Sequence, residues 1–235
     1  MKSATKNGGR GGFTLVELAV VAGIIAVLLA ILMPVLARAR MQSQIVRVHS
    51  DLRQITMALQ MYATDNKNHL PPTRFSCASR IQFEMPMELA QYKYLPGTMV
   101  NTAPGLTNAT VLKVNYNDPF DYNESTDSYN TYLYRAPGTA IVNEYTLLPN
   151  SSSLYVPYGY PAVDSQTGQY YFDPKTCPVR YVVWSVGPNI NSPKFGNATD
   201  QNEEPIPSRF WCMDAGDTGV IMHAVNVHGA DVISP

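Results

Sequence analysis

The sequence predicts an α+β protein in which one long N-terminal helix, transmembrane in its first half and amphipathic in its second, packs on an antiparallel β-sheet. Three observations carry that expectation. From Leu18 to Ala37, twenty consecutive residues lack a charge and are dominated by Leu, Val, Ile and Ala. Ile45, Val48, Leu52, Ile55, Leu59 and Tyr62 then recur at spacings of 3 and 4, the period of one helical face. From Val111 onward, short β-rich runs alternate with turn-rich stretches.

The chain opens on a basic leader, residues 1–12, with Lys2, Lys6 and Arg10 unopposed by any acid and Gly11-Gly12 at its end. The apolar run follows at once. Twenty helical residues at 1.5 Å each reach about 30 Å, the thickness of a bilayer's hydrocarbon core. A secretory signal has a shorter apolar stretch and a small-residue exit, whereas this run passes into Arg38-Ala39-Arg40, so residues 18–37 are expected to stay attached as a membrane span. Pro34 inside the run removes one backbone hydrogen bond and crowds the preceding turn, which predicts a kink or local loosening. An amphipathic continuation covers 40–66, with Arg47, Asp51, Arg53 and Gln54 between the apolar positions. Asn66, Asn68 and Pro71-Pro72 end the helix, giving a helical segment 13–68 with a rod of about 80 Å over residues 13–66.

Residues 69–235 make one β-rich globular domain. A short helix is expected within Ile81–Tyr94, near Glu88-Leu89-Ala90, with Pro86 and Met87 suited to its first turn. Strands are expected at Val111–Val114, Tyr129–Arg135, Ile141–Leu147, Gln169–Phe172, Arg180–Val186 and Val220–Val225, with Ser165-Gln166-Thr167-Gly168 as a turn before the fourth.

Glu17 stands alone at the edge of the apolar run, where an ionisable group is costly and usually has a partner. Two roles are open to it. It is a first-turn carboxylate favoured by the helix dipole, or it neutralises a buried cation. Gly12-Phe13-Thr14-Leu15-Val16-Glu17, behind a basic leader and ahead of about twenty apolar residues, resembles the processing site of type IV prepilins. The resemblance implies a pilin fold, cleavage between Gly12 and Phe13 by a prepilin peptidase, N-methylation of the new Phe13 amine, and roles for Phe13 and Glu17 in filament assembly. Pilin-like proteins commonly carry a proline where Pro34 stands, which implies a segment that bends or melts in the filament.

The same resemblance implies a single-pass protein of the bacterial inner membrane, with a cytoplasmic N-terminus and a periplasmic or extracellular globular domain. Its implied partners are copies of itself and other pilins or pseudopilins, the peptidase, the inner-membrane assembly platform and the membrane; it implies no enzyme. Three further passages are similar to the major pseudopilin of type II secretion systems: Ile55–Pro71 at the helix end, Asp118-Pro119-Phe120 followed by Tyr132-Leu133-Tyr134, and Ser185-Val186-Gly187-Pro188-Asn189. That family has an acidic calcium loop after the last glycine; this chain places Asn189 and Asn191 there and inserts Tyr- and Asn-rich segments. A secretion pseudopilin is therefore expected, with a type IV pilin or minor pilin for adhesion, motility or DNA uptake as the alternative. A membrane-tethered enzyme is the reading from another class, and no nucleophile elbow, zinc motif or P-loop speaks for it.

Residues 69–235 hold 9 Lys and Arg against 15 Asp and Glu, and an acidic domain of this kind repels phosphate backbones, so no nucleic-acid partner is expected. No cofactor is required. Calcium takes clustered oxygen ligands, and Asn189, Asn191, Asp214 and Asp217, with Asp200, Glu203 and Glu204 between them, are candidates; a solvated acidic loop is the alternative. Among Cys77, Cys177 and Cys212, any single bridge is expected between Cys177 and Cys212, which flank the C-terminal sheet. His223 and His228 lack metal-ligand spacing and are expected at the surface or at strand ends.

Overall fold

In the computed structural model, helix α1 runs from Leu15 to Asp65. The structure describes residues 14–75, 83–101, 110–123, 128–142, 146–160, 167–188, 219–229 and 231–233. The chain divides into two compact units, Met1–Ser43 and Gln44–Pro235, so α1 contributes to both.

In the first unit every described residue is exposed, and the helix is long enough and apolar enough to cross a membrane. Intrinsic propensity does not explain it, because β-branched Val20, Val21, Ile24, Ile25 and Val27 are mediocre helix formers in water. In hydrocarbon the backbone has to satisfy its own polar groups, and a helix does so within one segment. The helical residues continue through Pro34 without a break.

In the second unit α1 buries Val48, Leu52, Ile55, Thr56, Ala58, Leu59, Tyr62 and Ala63, with Ile45 packed at the edge of the same cluster. The predicted stripe is thus the core face. Each large apolar side chain buried there contributes about 1.5–3 kcal/mol. Tyrosine hydroxyls add polar fixings along the helix: Tyr132 Oη donates to Asp51 Oδ2 at 2.9 Å, Tyr116 Oη to Gln54 Oε1 at 2.8 Å, and Tyr94 to Asp65. Past Asp65 the chain turns through left-handed Lys67 (φ 55°) and Asn68 (φ 66°), and Asn68 N donates to Ala63 O at 2.7 Å.

The architecture is α+β. The sheet that packs on α1 has four antiparallel strands, β6 (Leu133–Arg135), β11 (Val179–Ser185), β12 (Ile221–Asn226) and β13 (Asp231–Ile233), in the order β13-β12-β11-β6. Alternation sends Tyr134, Tyr181, Val183, Ile221 and Val225 to the helix face. On the opposite face Leu133, Val182, Trp184, Met222 and Ala224 meet Phe83 and Leu154 and Val156 of β9 (Leu154–Pro157). Both faces are covered, which is why β12 reads as a nearly unbroken buried run.

A single antiparallel sheet was too simple an expectation. Among the described residues there are four smaller sheets besides this one: β1 (Thr73–Phe75) with β7 (Gly138–Val142) and β8 (Thr146–Ser152), β9 with β10 (Gly168–Tyr171), β2 (Gly97–Asn101) with β3 (Thr110–Val114), and β4 (Asn117–Asn123) with β5 (Ser128–Thr131). The β1–β7 pair is parallel. The run expected at Tyr129–Arg135 is two strands, β5 and β6, and that at Ile141–Leu147 spans parts of β7 and β8, whose described residues pair as an antiparallel hairpin. Helix α2 (Glu88–Gln91) lies where Pro86 and Met87 place its first turn, and Glu88 Oε1 accepts from Arg74 Nη2 at 2.7 Å.

Candidate functional site

The head of α1 is built by two residues of the predicted processing motif. Thr14 is the N-cap: its Oγ1 accepts from Glu17 N at 3.2 Å, and its carbonyl accepts the first helical bond from Leu18 N at 3.2 Å. Glu17 answers with Oε2, which accepts from Thr14 N at 2.9 Å and from Thr14 Oγ1 at 2.8 Å. This is a reciprocal capping box of the Ser/Thr-x-x-Glu type. The box satisfies the Thr14 and Glu17 N–H groups at the helix start, and the carboxylate is anchored one residue from position 13. The pattern is legible in the sequence as Thr14-Leu15-Val16-Glu17, a Thr-x-x-Glu box opening an apolar run. Gly12 and Phe13 lie outside the described residues. Pro34 is exposed on the helix.

A second constellation joins two passages that sequence alone held apart. Asp118, 1% exposed in β4, receives three donors: Phe120 N at 3.0 Å and Ser185 Oγ at 2.9 Å on Oδ1, and Val186 N at 3.0 Å on Oδ2. Gly187 N in turn donates to Ser185 Oγ at 3.1 Å. The Asp-Pro-aromatic turn and the Ser-x-Gly strand exit thus form one node that ties β4 to the end of β11. Desolvation raises the Asp118 pKa to about 6, against the lowering pull of the three hydrogen bonds.

The pH consequence has a definite sign. Between about pH 4 and pH 6 the folded state holds a proton at Asp118 that the unfolded chain has released, so this group's stabilisation is whole at the acid end and is lost as pH rises through 6, by about 3 kcal/mol. Asp118→Asn is expected to remove that slope. Its amide would present a donor to a cradle of donors, so the variant should also be less stable at both ends of the range. Urea unfolding of the detergent-solubilised chain at pH 4.5 and pH 7 measures both effects, and an unchanged slope would exclude Asp118 as the titrating group.

The candidate calcium ligands Asn189, Asn191, Asp214 and Asp217 lie outside the described residues. Among the described residues no group of three or more His, Cys, Asp or Glu is placed to hold a metal ion. Of the expected cysteine pair, Cys177 is buried in the second cluster, and burial pushes its thiol up to about 11; Cys212 and Cys77 lie outside the described residues. His228 is exposed in a turn as expected. His223 is a correction: it sits in mid-strand on β12 at 3% exposure, with Nδ1 3.0 Å from Thr56 Oγ1 of α1. Strand parity puts it on the same face as Ile221 and Val225, two residues to either side, and the structure shows that this is the face packed on α1.

No family model, no curated protein and no solved structure matches the chain.

Proposed function

We propose that the chain is a structural subunit of a helical pilus or pseudopilus filament, with a pilin fold, processed between Gly12 and Phe13 and held in the bacterial inner membrane by α1. One observation carries the reading. A helix with wholly exposed apolar residues from Leu18 to Ala37 starts in a capping box whose carboxylate belongs to the Gly12-Phe13-Thr14-Leu15-Val16-Glu17 motif. An exposed stripe of that length needs lipid before assembly and other helices after it. The N-terminus is then cytoplasmic and the second unit lies on the far side of the membrane. The chain performs no chemistry; its partners are other filament subunits, the prepilin peptidase and the assembly platform.

Within that class a type II secretion pseudopilin is the preferred reading. The three-donor node at Asp118 supports it, because the passages that resemble the major pseudopilin are hydrogen-bonded to one another. A pilin for adhesion or motility is the alternative, and an excess of acidic over basic residues in 69–235 disfavours a DNA-binding one.

Gly12→Val is expected to give a protein that inserts but keeps its leader, because the bulkier residue blocks the peptidase's access to the bond before Phe13. N-terminal mass analysis of the membrane protein tests this. A wild-type chain whose mature form begins anywhere other than Phe13 would remove the prepilin reading.

A further inference from the structure

We propose that Arg38 and Arg40 form a cationic collar at the end of the apolar span, which binds the headgroup phosphates of anionic glycerophospholipids. The proposal rests on α1 crossing a bilayer, for which it is long and apolar enough, and not on the filament reading.

Both arginines are exposed on α1 within the first unit, and neither has a hydrogen-bond or ion-pair partner among the described residues. Cations of the second unit are placed differently: Arg47 pairs with Asp51 at 3.5 Å, Arg74 with Glu88 at 2.7 Å and Lys113 with Glu84 at 3.7 Å. On a soluble helix two exposed arginines need only water. Here they follow directly on the uncharged run Leu18–Ala37. At 1.5 Å per residue, Arg38 lies about 1.5 Å and Arg40 about 4.5 Å beyond Ala37 along the axis. The headgroup layer outside a hydrocarbon core of about 30 Å is about 5–7 Å deep, so both guanidinium groups reach the level of the phosphates.

Charge decides what meets them there. No acid occurs in α1 between Glu17 and Asp51, so a second copy at the same depth presents arginines, not a carboxylate. Orientation does not call for the pair either. Lys2, Lys6 and Arg10 lie at the other end of the span, and cations at both ends oppose the loop-charge bias that orients a single span. An anionic headgroup offsets the charge where it stands, by about fivefold in affinity per arginine. Guanidinium also matches phosphate through paired hydrogen bonds. Residues two apart on a helix differ by about 200° in direction, so Arg38 and Arg40 face opposite sides and meet different lipids. Their contributions therefore multiply.

The full chain in nanodiscs of mixed phosphatidylcholine and phosphatidylglycerol tests the collar, with the lipids that stay bound counted by native mass spectrometry. Wild type is expected to retain phosphatidylglycerol in preference to phosphatidylcholine. Arg38→Gln and Arg40→Gln should each lower that ratio roughly fivefold, and the double variant by about the product of the two. The leader is the same in all four proteins and cancels, and Gln is nearly as good a helix former as Arg. Replacing both arginines by lysine keeps the charge and should keep most of the preference; a loss equal to that of the Gln pair would place the effect on the helix and overturn the proposal. An unchanged ratio in the Gln double variant also overturns it and leaves these side chains to water or to a carboxylate of a second copy. Millimolar inorganic phosphate should leave the ratio as it is; if it abolishes the preference, the ligand is free phosphate and the lipid assignment falls. A chain recovered outside the nanodiscs overturns span and collar together, whereas insertion without the preference overturns the collar alone.

Discussion

Glu17→Ala is expected to insert and to be cleaved, yet to enter filaments poorly, with sheared-filament yield down at least about tenfold at equal membrane levels. Two jobs disappear together in that variant. Glu17 closes the capping box on Thr14, and in an assembled filament its carboxylate would meet the Phe13 amine of a neighbour in an apolar core. Two companions separate them. Glu17→Gln keeps a capping-box partner without the charge, whereas Thr14→Val removes the capping hydroxyl and leaves the charge. If neutralisation of the amine is what assembly needs, Ala and Gln variants both lose filaments and Thr14→Val stays close to wild type. If the helix start is what matters, Gln assembles well and Thr14→Val fails with Ala. Equal yields from all four proteins would refute both mechanisms.

Long-range periodicity made α1 legible. An apolar run of twenty residues and a stripe at spacings of 3 and 4 define a helix that the structure carries from Leu15 to Asp65. Strands β3, β10, β11 and β12 were also readable, because β-branched or aromatic residues cluster in runs bounded by turns. What escaped had physical reasons. Thr73–Phe75 is too short to show alternation, and its parallel partner β7 lies 63 or more residues away. Asn117–Asn123 contains Pro119 and two aspartates, a composition that argues against a strand until Asp118 is seen receiving three donors. The contact of Asp118 with Ser185 spans 67 positions, which no local pattern encodes. His223 lies in a strand buried on both faces, so polarity alone gave no sign of which face it took.

Gly187→Ala is expected to be severely destabilising, costing more than about 4 kcal/mol. Two penalties coincide there. Gly187 has φ 76°, a left-handed conformation that costs an L-residue roughly 1–2 kcal/mol. A Cβ at this position would also stand 1.9 Å from Gly219 O and 2.7 Å from Gly219 C. Both are backbone atoms, so no side-chain rotation relieves the collision. Moving Gly219 drags Val220 and Ile221 out of the two core clusters, and moving Gly187 pulls on the Ser185 and Val186 donors that hold Asp118. Gly23→Ala is the internal control: a Cβ there meets nothing within 4 Å, and alanine is the better helix former by about 1 kcal/mol. Urea unfolding of both variants in detergent makes the comparison, with Gly187→Ala unfolded at denaturant concentrations where Gly23→Ala remains native. If Gly187→Ala instead unfolds with the wild type, the 185–188 turn and residues 219–220 can part without breaking the Asp118 node, and the close approach of Gly187 to Gly219 is not what holds that node in place.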